Sequence, residues 1–488
     1  MIKMENNCQN MQSVQEIQSI SQKQTNGVEK ETLLIQDQSK IKPNRYNIIS
    51  PKLSYWMNIQ KCWMCIIVVT SHIDDACDNE KSLWTALIPH PLVVNGSAAV
   101  KIFFVFAGIF SMHSMKGLYE KHENSTKDFI KAFIFQYTKR YFSTHAVLFA
   151  FGLGYIPFLY WVFGENGRDV YYHPWSQYKN YWITWFLPVY LPWRPEGKQF
   201  VSTSGWFSQV LTNHEFFFYT FYFCAYFLKK YVKNVIVWGA IFLSSTLIFS
   251  ILMELLGSGC RSMSAYAIGV CCYFTRVLLT QTEKGKRIID FAYSKNSKIL
   301  AQRWCLSIFF IYLWMFMCRS KYSLNEWAHV IYSFFFVFDI IPFPKFSAFW
   351  QQIINEIARL SMVIYILHFP FLHEAAPRNF PYVTALNFNI EKNHSWINAF
   401  SGWVYLLIFG MLSYPLWFMQ RPLELLPVWF KQVLEKKHLK DVKKFKTDLA
   451  LSLVGLGALA LLIILAQCDV FGHAFVQPPP HWPDWKMQ

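Results

Sequence analysis

Residues 234–256 read Asn234-Val-Ile-Val-Trp-Gly-Ala-Ile-Phe-Leu-Ser-Ser-Thr-Leu-Ile-Phe-Ser-Ile-Leu-Met-Glu-Leu-Leu256, with no charged side chain before Glu254. At a rise of about 1.5 Å per residue, roughly 20 apolar residues cross a hydrocarbon core about 30 Å thick. This stretch is therefore expected to be a membrane-spanning helix. Working outward from it, comparable runs recur, and about eleven spans are expected by the same length rule. They lie near 55–71, 98–115, 141–163, 212–228, 234–256, 262–279, 304–318, 327–341, 353–372, 396–419 and 448–467. The expected fold is all-α, a polytopic transmembrane helical bundle. Charged residues make up only 16% of the 488 residues, against roughly 25% in soluble domains. That balance excludes a disordered chain and a collagen-like one. Eleven cysteines, scattered and mostly within apolar runs, form no disulfide framework. Cys77 and Cys260 fall in loops expected on one side, where a pairing is conceivable in an oxidising compartment.

The net charge of +16 at first suggests a nucleic-acid partner. Its placement argues otherwise. About 31 of the 46 Lys and Arg residues fall in the N-terminal tail and in every second loop, namely 116–140, 229–233, 280–303, 342–352 and 420–447. The positive-inside rule then puts the tail in the cytoplasm and segment 469–488 on the far side. The positive charge faces anionic lipid headgroups, and no nucleic acid is expected. Residues 1–54, rich in Gln, Lys, Asn and Ser, read as a disordered cytoplasmic tail. The tail has no apolar core behind a basic start and is not Arg-rich, so an endomembrane or the plasma membrane is expected rather than the mitochondrial inner membrane.

Ionisable groups inside spans are costly, so each requires a reason. Lys61 and His72 stand on the first span, eleven residues apart, about 16 Å along one helix face. Alone, Lys61 reads equally as a snorkelling interfacial lysine and His72 as a boundary histidine. Ala107-Gly108 on the second span would allow a close helix contact. Lys139-Arg140 precedes the third span, either as a topology anchor or as a clamp for a phosphate. Glu215 and His368 are expected in the outer parts of the fourth and ninth spans, at the depth of His72. The three would then share one cavity, as an acid–base centre for a hydroxyl or as a structural polar plug. Cys62-Trp-Met-Cys65 has redox-motif spacing, but on an apolar span it reads as packed small residues. No metal-ligand cluster and no serine nucleophile elbow are visible.

Taken in order, these segments resemble the acyltransferase-3 family, particularly its nose-resistant-to-fluoxetine-like branch. The family's first span, with an Arg and a terminal Gly-His, is similar to the run holding Lys61 and His72. Its Phe-rich motif before Ser-Gly resembles Phe103-Phe-Val-Phe-Ala107-Gly108, and its basic stretch resembles Arg140-Tyr-Phe-Ser143. Gly205-Trp206 with Glu215, Leu360-Ser361 through Tyr365, His368 and Pro370, and Gln420-Arg421-Pro422 resemble the later motifs.

The resemblance implies a ten-span core over 55–430, leaving 448–468 as one extra C-terminal span behind a basic linker at 431–447. It implies transfer of an acyl group, commonly acetyl, from cytosolic acyl-CoA to a hydroxyl of a sugar or lipid. His72, Glu215 and His368 would then be catalytic, with His72 as the base. Lys61, Lys139 and Arg140 would hold the donor's phosphates, and no metal would be needed. The chain departs from the pattern at Lys61 for Arg, Lys101 for Asp, Ala107 for Ser and Ser143 for Arg. Two other readings therefore stay open: a catalytically degenerate subunit with protein partners in a membrane assembly, and a carrier of lipids or small hydrophobic molecules.

Overall fold

The computed structural model describes residues 47–77, 96–122, 124–150, 206–229, 231–256, 262–319, 327–341, 346–369, 396–434 and 442–467. Twelve helices are found among them, and they are α-helices throughout. In chain order they are α1 (Pro51–Cys77), α2 (Gly96–His122), α3 (Thr126–Ala150), α4 (Trp206–Leu228), α5 (Val235–Leu256) and α6 (Met263–Gln281). There follow α7 (Glu283–Tyr293), α8 (Ser297–Arg319), α9 (Ala328–Phe338), α10 (Ala348–Phe369), α11 (Trp396–Leu434) and α12 (Val442–Gln467). Four of them, α2, α5, α6 and α8, are long and apolar enough by themselves to cross a membrane. The chain is thus a helical integral membrane protein, with large apolar side chains such as Ile248, Leu252, Phe309 and Tyr312 facing outward from α5 and α8.

The core is built where backbones approach most closely. A Cβ added to Gly108 on α2 would lie 2.2 Å from the Tyr266 carbonyl oxygen of α6, and one on Gly269 would lie 2.1 Å from the Val105 carbonyl oxygen. Only hydrogen fits at either place, so α2 and α6 cross through a pair of facing glycines, the small-residue packing that membrane helices use. The close contact expected at Ala107-Gly108 forms there. Glu254, at the end of α5, accepts hydrogen bonds from the backbone N–H groups of Ser262 (2.9 Å) and Ser264 (3.0 Å). A carboxylate at a helix N-terminus meets unsatisfied donors and the positive end of the dipole. It also holds Ser262 in its left-handed conformation, φ 63°.

Helix directions follow from pairwise contacts. On α1 and α10, Asn58 meets Asn355 and Cys65 meets the Ser361 carbonyl, so both numbers rise together and the helices run parallel. Phe104 meets Phe207 and Tyr119 meets Tyr226, so α2 and α4 are also parallel. Phe129 stacks on Tyr226 while Tyr137 packs on Phe216, so α3 and α4 are antiparallel. Cys62 and Cys65 donate to carbonyls of α10, and both are buried free thiols, used for packing.

Four boundaries differ from the sequence reading. The expected loop at 116–140 is mostly helix, because Ser125 caps α3 by accepting from the Asp128 N–H. The fourth span was expected from 212, whereas α4 begins at Trp206. The expected span at 327–341 contains α9, which is only 11 residues long, about 16 Å, too short to cross by itself. The tenth span was expected to end near 419. Instead α11 continues to Leu434 with Pro415, Pro422 and Pro427 inside it. The last helix, α12, docks on α11, where Ser452 Oγ donates to the Phe418 carbonyl and Gly455 lets the helix pass close to the Pro415 carbonyl. Between α6 and α8, α7 is a short basic amphipathic helix capped by Thr282, which accepts from the Gly285 N–H at 3.1 Å. In its first turn, a hydrogen bond from Lys286 holds the Glu283 carboxyl below its ordinary pKa.

Candidate functional site

The spacing of α3 builds the site. Phe129, Phe133, Tyr137, Arg140 and Thr144 recur at intervals of three or four, so they lie on one helical face. Phe129 packs on Tyr226, Phe133 on Tyr219 and Phe223, and Tyr137 on Phe216 and Tyr219 of α4. Arg140 continues that stripe and is carried inward with it. Its Nε donates to Glu215 Oε1 at 2.6 Å, and Thr144 Oγ1 donates to Glu215 Oε2 at 3.3 Å. Ser208 Oγ then donates to the Thr144 carbonyl at 2.6 Å. Both carboxylate oxygens of Glu215, 2% exposed, are thus held by α3, while the Arg140 side chain remains 32% exposed.

A ring of hydroxyls surrounds the pair. Tyr137, Tyr219 and Tyr266 lie within electrostatic range of the Glu215 carboxylate, and Ser111 of α2 sits beside Tyr219 and Tyr266. Lys61 of α1 lies within electrostatic range of Arg140, its Nζ 4.9 Å from the centre of the Phe110 ring. Five helices, α1, α2, α3, α4 and α6, therefore converge on one polar centre inside the bundle. A guanidinium gripped from behind by a buried carboxylate is preorganised to receive a planar or phosphate oxyanion on its open side.

A second zone lies toward the beginning of α4. Phe207 packs on Phe104 (4.7 Å between ring centres) and on Tyr365 (4.9 Å), and Tyr365 packs on His368 (5.3 Å). His368 is fully buried. Phe207 precedes Glu215 by eight residues, about 12 Å along the helix. On α1, the register set by Cys65 opposite Ser361 carries forward seven residues to bring position 72 level with position 368. The side chains of His72 and Cys77 lie outside the described residues, as does Cys260 altogether.

The geometry adds a partner to the expected grouping. Glu215 was placed with His72 and His368 in the outer part of the bundle, and Arg140 at the opposite boundary. Arg140 and Glu215 are instead bonded to each other, because α3 and α4 both start earlier than expected and both residues fall near mid-helix. Lys139 was grouped with Arg140, but one residue turns the helix by about 100°, and Lys139 is exposed on the outer face of α3. Lys101 is buried in α2.

One residue was missed. His214 is fully buried between Phe104 of α2 (4.9 Å) and Tyr266 of α6 (5.8 Å), next to Glu215 in sequence. It links the aromatic zone to the polar centre. Its signal was present, since any histidine on an apolar span requires burial or a partner.

Among the described residues, no group of three or more His, Cys, Asp or Glu side chains could hold a metal ion. Over residues 54–377 the chain matches the acyltransferase-3 family model, described as an acyltransferase domain. That stretch contains Lys61, His72, Lys139, Arg140, Glu215 and His368, and ends before α11. No curated protein and no solved structure matches the chain.

Proposed function

The chain belongs to the acyltransferase-3 family, and from that premise we propose that it transfers an acyl group from acyl-CoA to a hydroxyl of a lipid or sugar at a membrane. The acceptor oxygen attacks the thioester carbonyl carbon, the C–S bond breaks, and the hydroxyl proton passes through a base to the departing thiolate. His72 is the base in this reading, carried over from the family resemblance. Arg140, oriented by Glu215, binds phosphate oxygens of the donor, with Lys61 adding positive charge nearby. The observation that carries the reading is the Arg140–Glu215 pair: a one-third-exposed guanidinium backed by a fully engaged carboxylate. We place the protein in the nose-resistant-to-fluoxetine-like branch, with a ten-span core, an added α12 and a cytoplasmic N-terminus.

The test is direct binding of acetyl-CoA to the purified full chain in detergent. Arg140→Gln is expected to weaken binding about tenfold or more, the loss of a charge-assisted hydrogen bond to phosphate. Lys139→Gln is expected to leave it unchanged. Equal affinity of Arg140→Gln and the wild type would remove the donor site from this place.

A further inference from the structure

Away from the Arg140–Glu215 centre, four helix ends meet at one face of the bundle: the starts of α1 and α8 and the ends of α6 and α9. Tyr293, the last residue of α7, joins them. Three cations enter this junction. Arg276 of α6, fully buried, donates from Nε to the Ile48 carbonyl (3.3 Å) and from Nη1 to the Val337 carbonyl (3.1 Å). Arg303 of α8, 4% exposed, donates from Nε to the Ile340 carbonyl at 3.0 Å. Lys52 of α1 lies 3.4 Å from Asp339 Oδ1 and 4.5 Å from the centre of the Tyr293 ring. Tyr293 and Ser50 share a hydrogen bond of 2.7 Å. Both guanidiniums lie within electrostatic range of Lys52.

The charges do not balance. Asp339 is the carboxylate that faces Lys52, Arg276 and Arg303, and α9 contributes only the partial negative charge of its C-terminal end, about half an elementary charge. Buried charge without a partner is expensive. The Nη2 atoms of Arg276 and Arg303 are both buried, and neither has a hydrogen-bond acceptor among the described residues. Asp339 Oδ2 is buried there without a donor of its own among the described residues, so one acceptor is already present. Against Lys52, Arg276 and Arg303 it still leaves two positive side chains in excess among the described residues, a deficit that an anion of nearly two charges would fill. A phosphate monoester supplies about −1.5 to −2 at neutral pH and three such oxygens. Ser50 and Pro51 open α1 at the same place, and a helix N-terminus favours an anion. Lys52, one-third exposed, links the junction to the surface. Lys284, Arg287, Lys295 and Lys298 are exposed on α7, the connection after it and the start of α8, a basic surface suited to lipid headgroups.

We infer that the junction of Lys52, Arg276, Arg303 and Tyr293 is a binding site for a phosphate monoester, separate from the Arg140–Glu215 centre. The monoester comes either from a lipid headgroup or from a soluble phosphate. The experiment uses the full chain in detergent and three probes: dioctanoyl phosphatidylinositol monophosphate, unphosphorylated dioctanoyl phosphatidylinositol, and inorganic phosphate. Binding is read by calorimetry and by the unfolding midpoint. The phosphorylated lipid is expected to bind and raise the midpoint, and the unphosphorylated lipid is expected to do neither. Binding of the phosphorylated lipid alone identifies a headgroup site; binding of inorganic phosphate as well identifies a site for the free group. Lys52→Gln and Arg303→Gln are each expected to weaken binding about tenfold or more. Lys52 is partly exposed, so Lys52→Gln decides the matter even if Arg303→Gln fails to fold. The inference is overturned if neither phosphorylated probe binds, if the unphosphorylated lipid binds as well as the phosphorylated one, or if Lys52→Gln binds as the wild type does.

Discussion

Arg140 and Lys139 are chain neighbours, yet one lies bonded between helices and the other is exposed. The difference is one step of helical rotation, and it makes the two residues separable by mutation. Arg140→Ala strands a carboxylate that is 2% exposed, and breaking a buried pair in this way costs about 3 kcal/mol or more. Glu215→Gln keeps the shape and leaves behind a cation that is 32% exposed, so water offsets more of its loss and the cost is expected to be smaller, about 1–2 kcal/mol. The double variant Arg140→Met/Glu215→Leu is expected to be more stable than Arg140→Ala, because it strands no charge. Detergent unfolding midpoints of the four proteins check this order. A double variant less stable than Arg140→Ala would show that the pair is not the linked unit described above. Lys139→Ala is expected to leave the midpoint unchanged.

The α2–α6 crossing makes a sharper demand on sequence than any side-chain contact. Gly108→Ala must displace the Tyr266 carbonyl, since its Cβ would fall 2.2 Å from that oxygen. Overpacking of this kind costs on the order of 1–3 kcal/mol. Gly117, on the same helix, has nothing within 4 Å of an added Cβ. Gly117→Ala is therefore expected to be neutral or to stabilise by up to about 1 kcal/mol, the ordinary propensity gain. Thermal unfolding of the two variants compares them directly, and equal midpoints would contradict the crossing.

The elements also show what was legible in the sequence. α5 was, because its run is long and, taken as a whole, apolar enough to cross a membrane by itself. The beginning of α3 was not, because Lys127, Asp128, Lys131 and Lys139 line its exposed face and disguise an aromatic stripe at 129, 133 and 137, packed against α4, as a polar loop. α9 was read as a span because its 11 residues are strongly apolar, and an apolarity count does not distinguish a short buried helix from a crossing one. The end of α11 was not legible, because Arg421, Glu424 and Lys431 make its last turns look like part of the basic loop expected at 420–447. The site suffered from the same errors. With α3 and α4 both begun too late, Arg140 fell at a boundary and Glu215 near the opposite one, and a bonded pair was read as two separate sites. Arg276, Arg303 and Asp339 could not be grouped at all, since their proximity depends on where four helices end.

At the scale of the whole molecule, the contacts agree on direction: α1 parallel to α10, α2 parallel to α4, and α3 antiparallel to α4. With a cytoplasmic N-terminus, the α2–α3 turn is cytoplasmic as well. Asn124 in that turn is exposed within an Asn-Ser-Thr sequon, yet it is expected to carry no glycan when the chain is made in microsomes. A glycan at Asn124 would reverse the orientation. The central claim is acyl transfer itself, and it is tested by reconstituting the full chain in liposomes with acetyl-CoA labelled in the acetyl group and a lipid extract. The account predicts label in a lipid or sugar product with the wild type and with Lys139→Gln, a loss of about a hundredfold or more with His72→Ala, the general-base contribution, and a weakened response to donor concentration with Arg140→Gln. Label transfer that persists undiminished in His72→Ala and Arg140→Gln, or a well-folded wild type that moves no label to any acceptor in the extract, would contradict it.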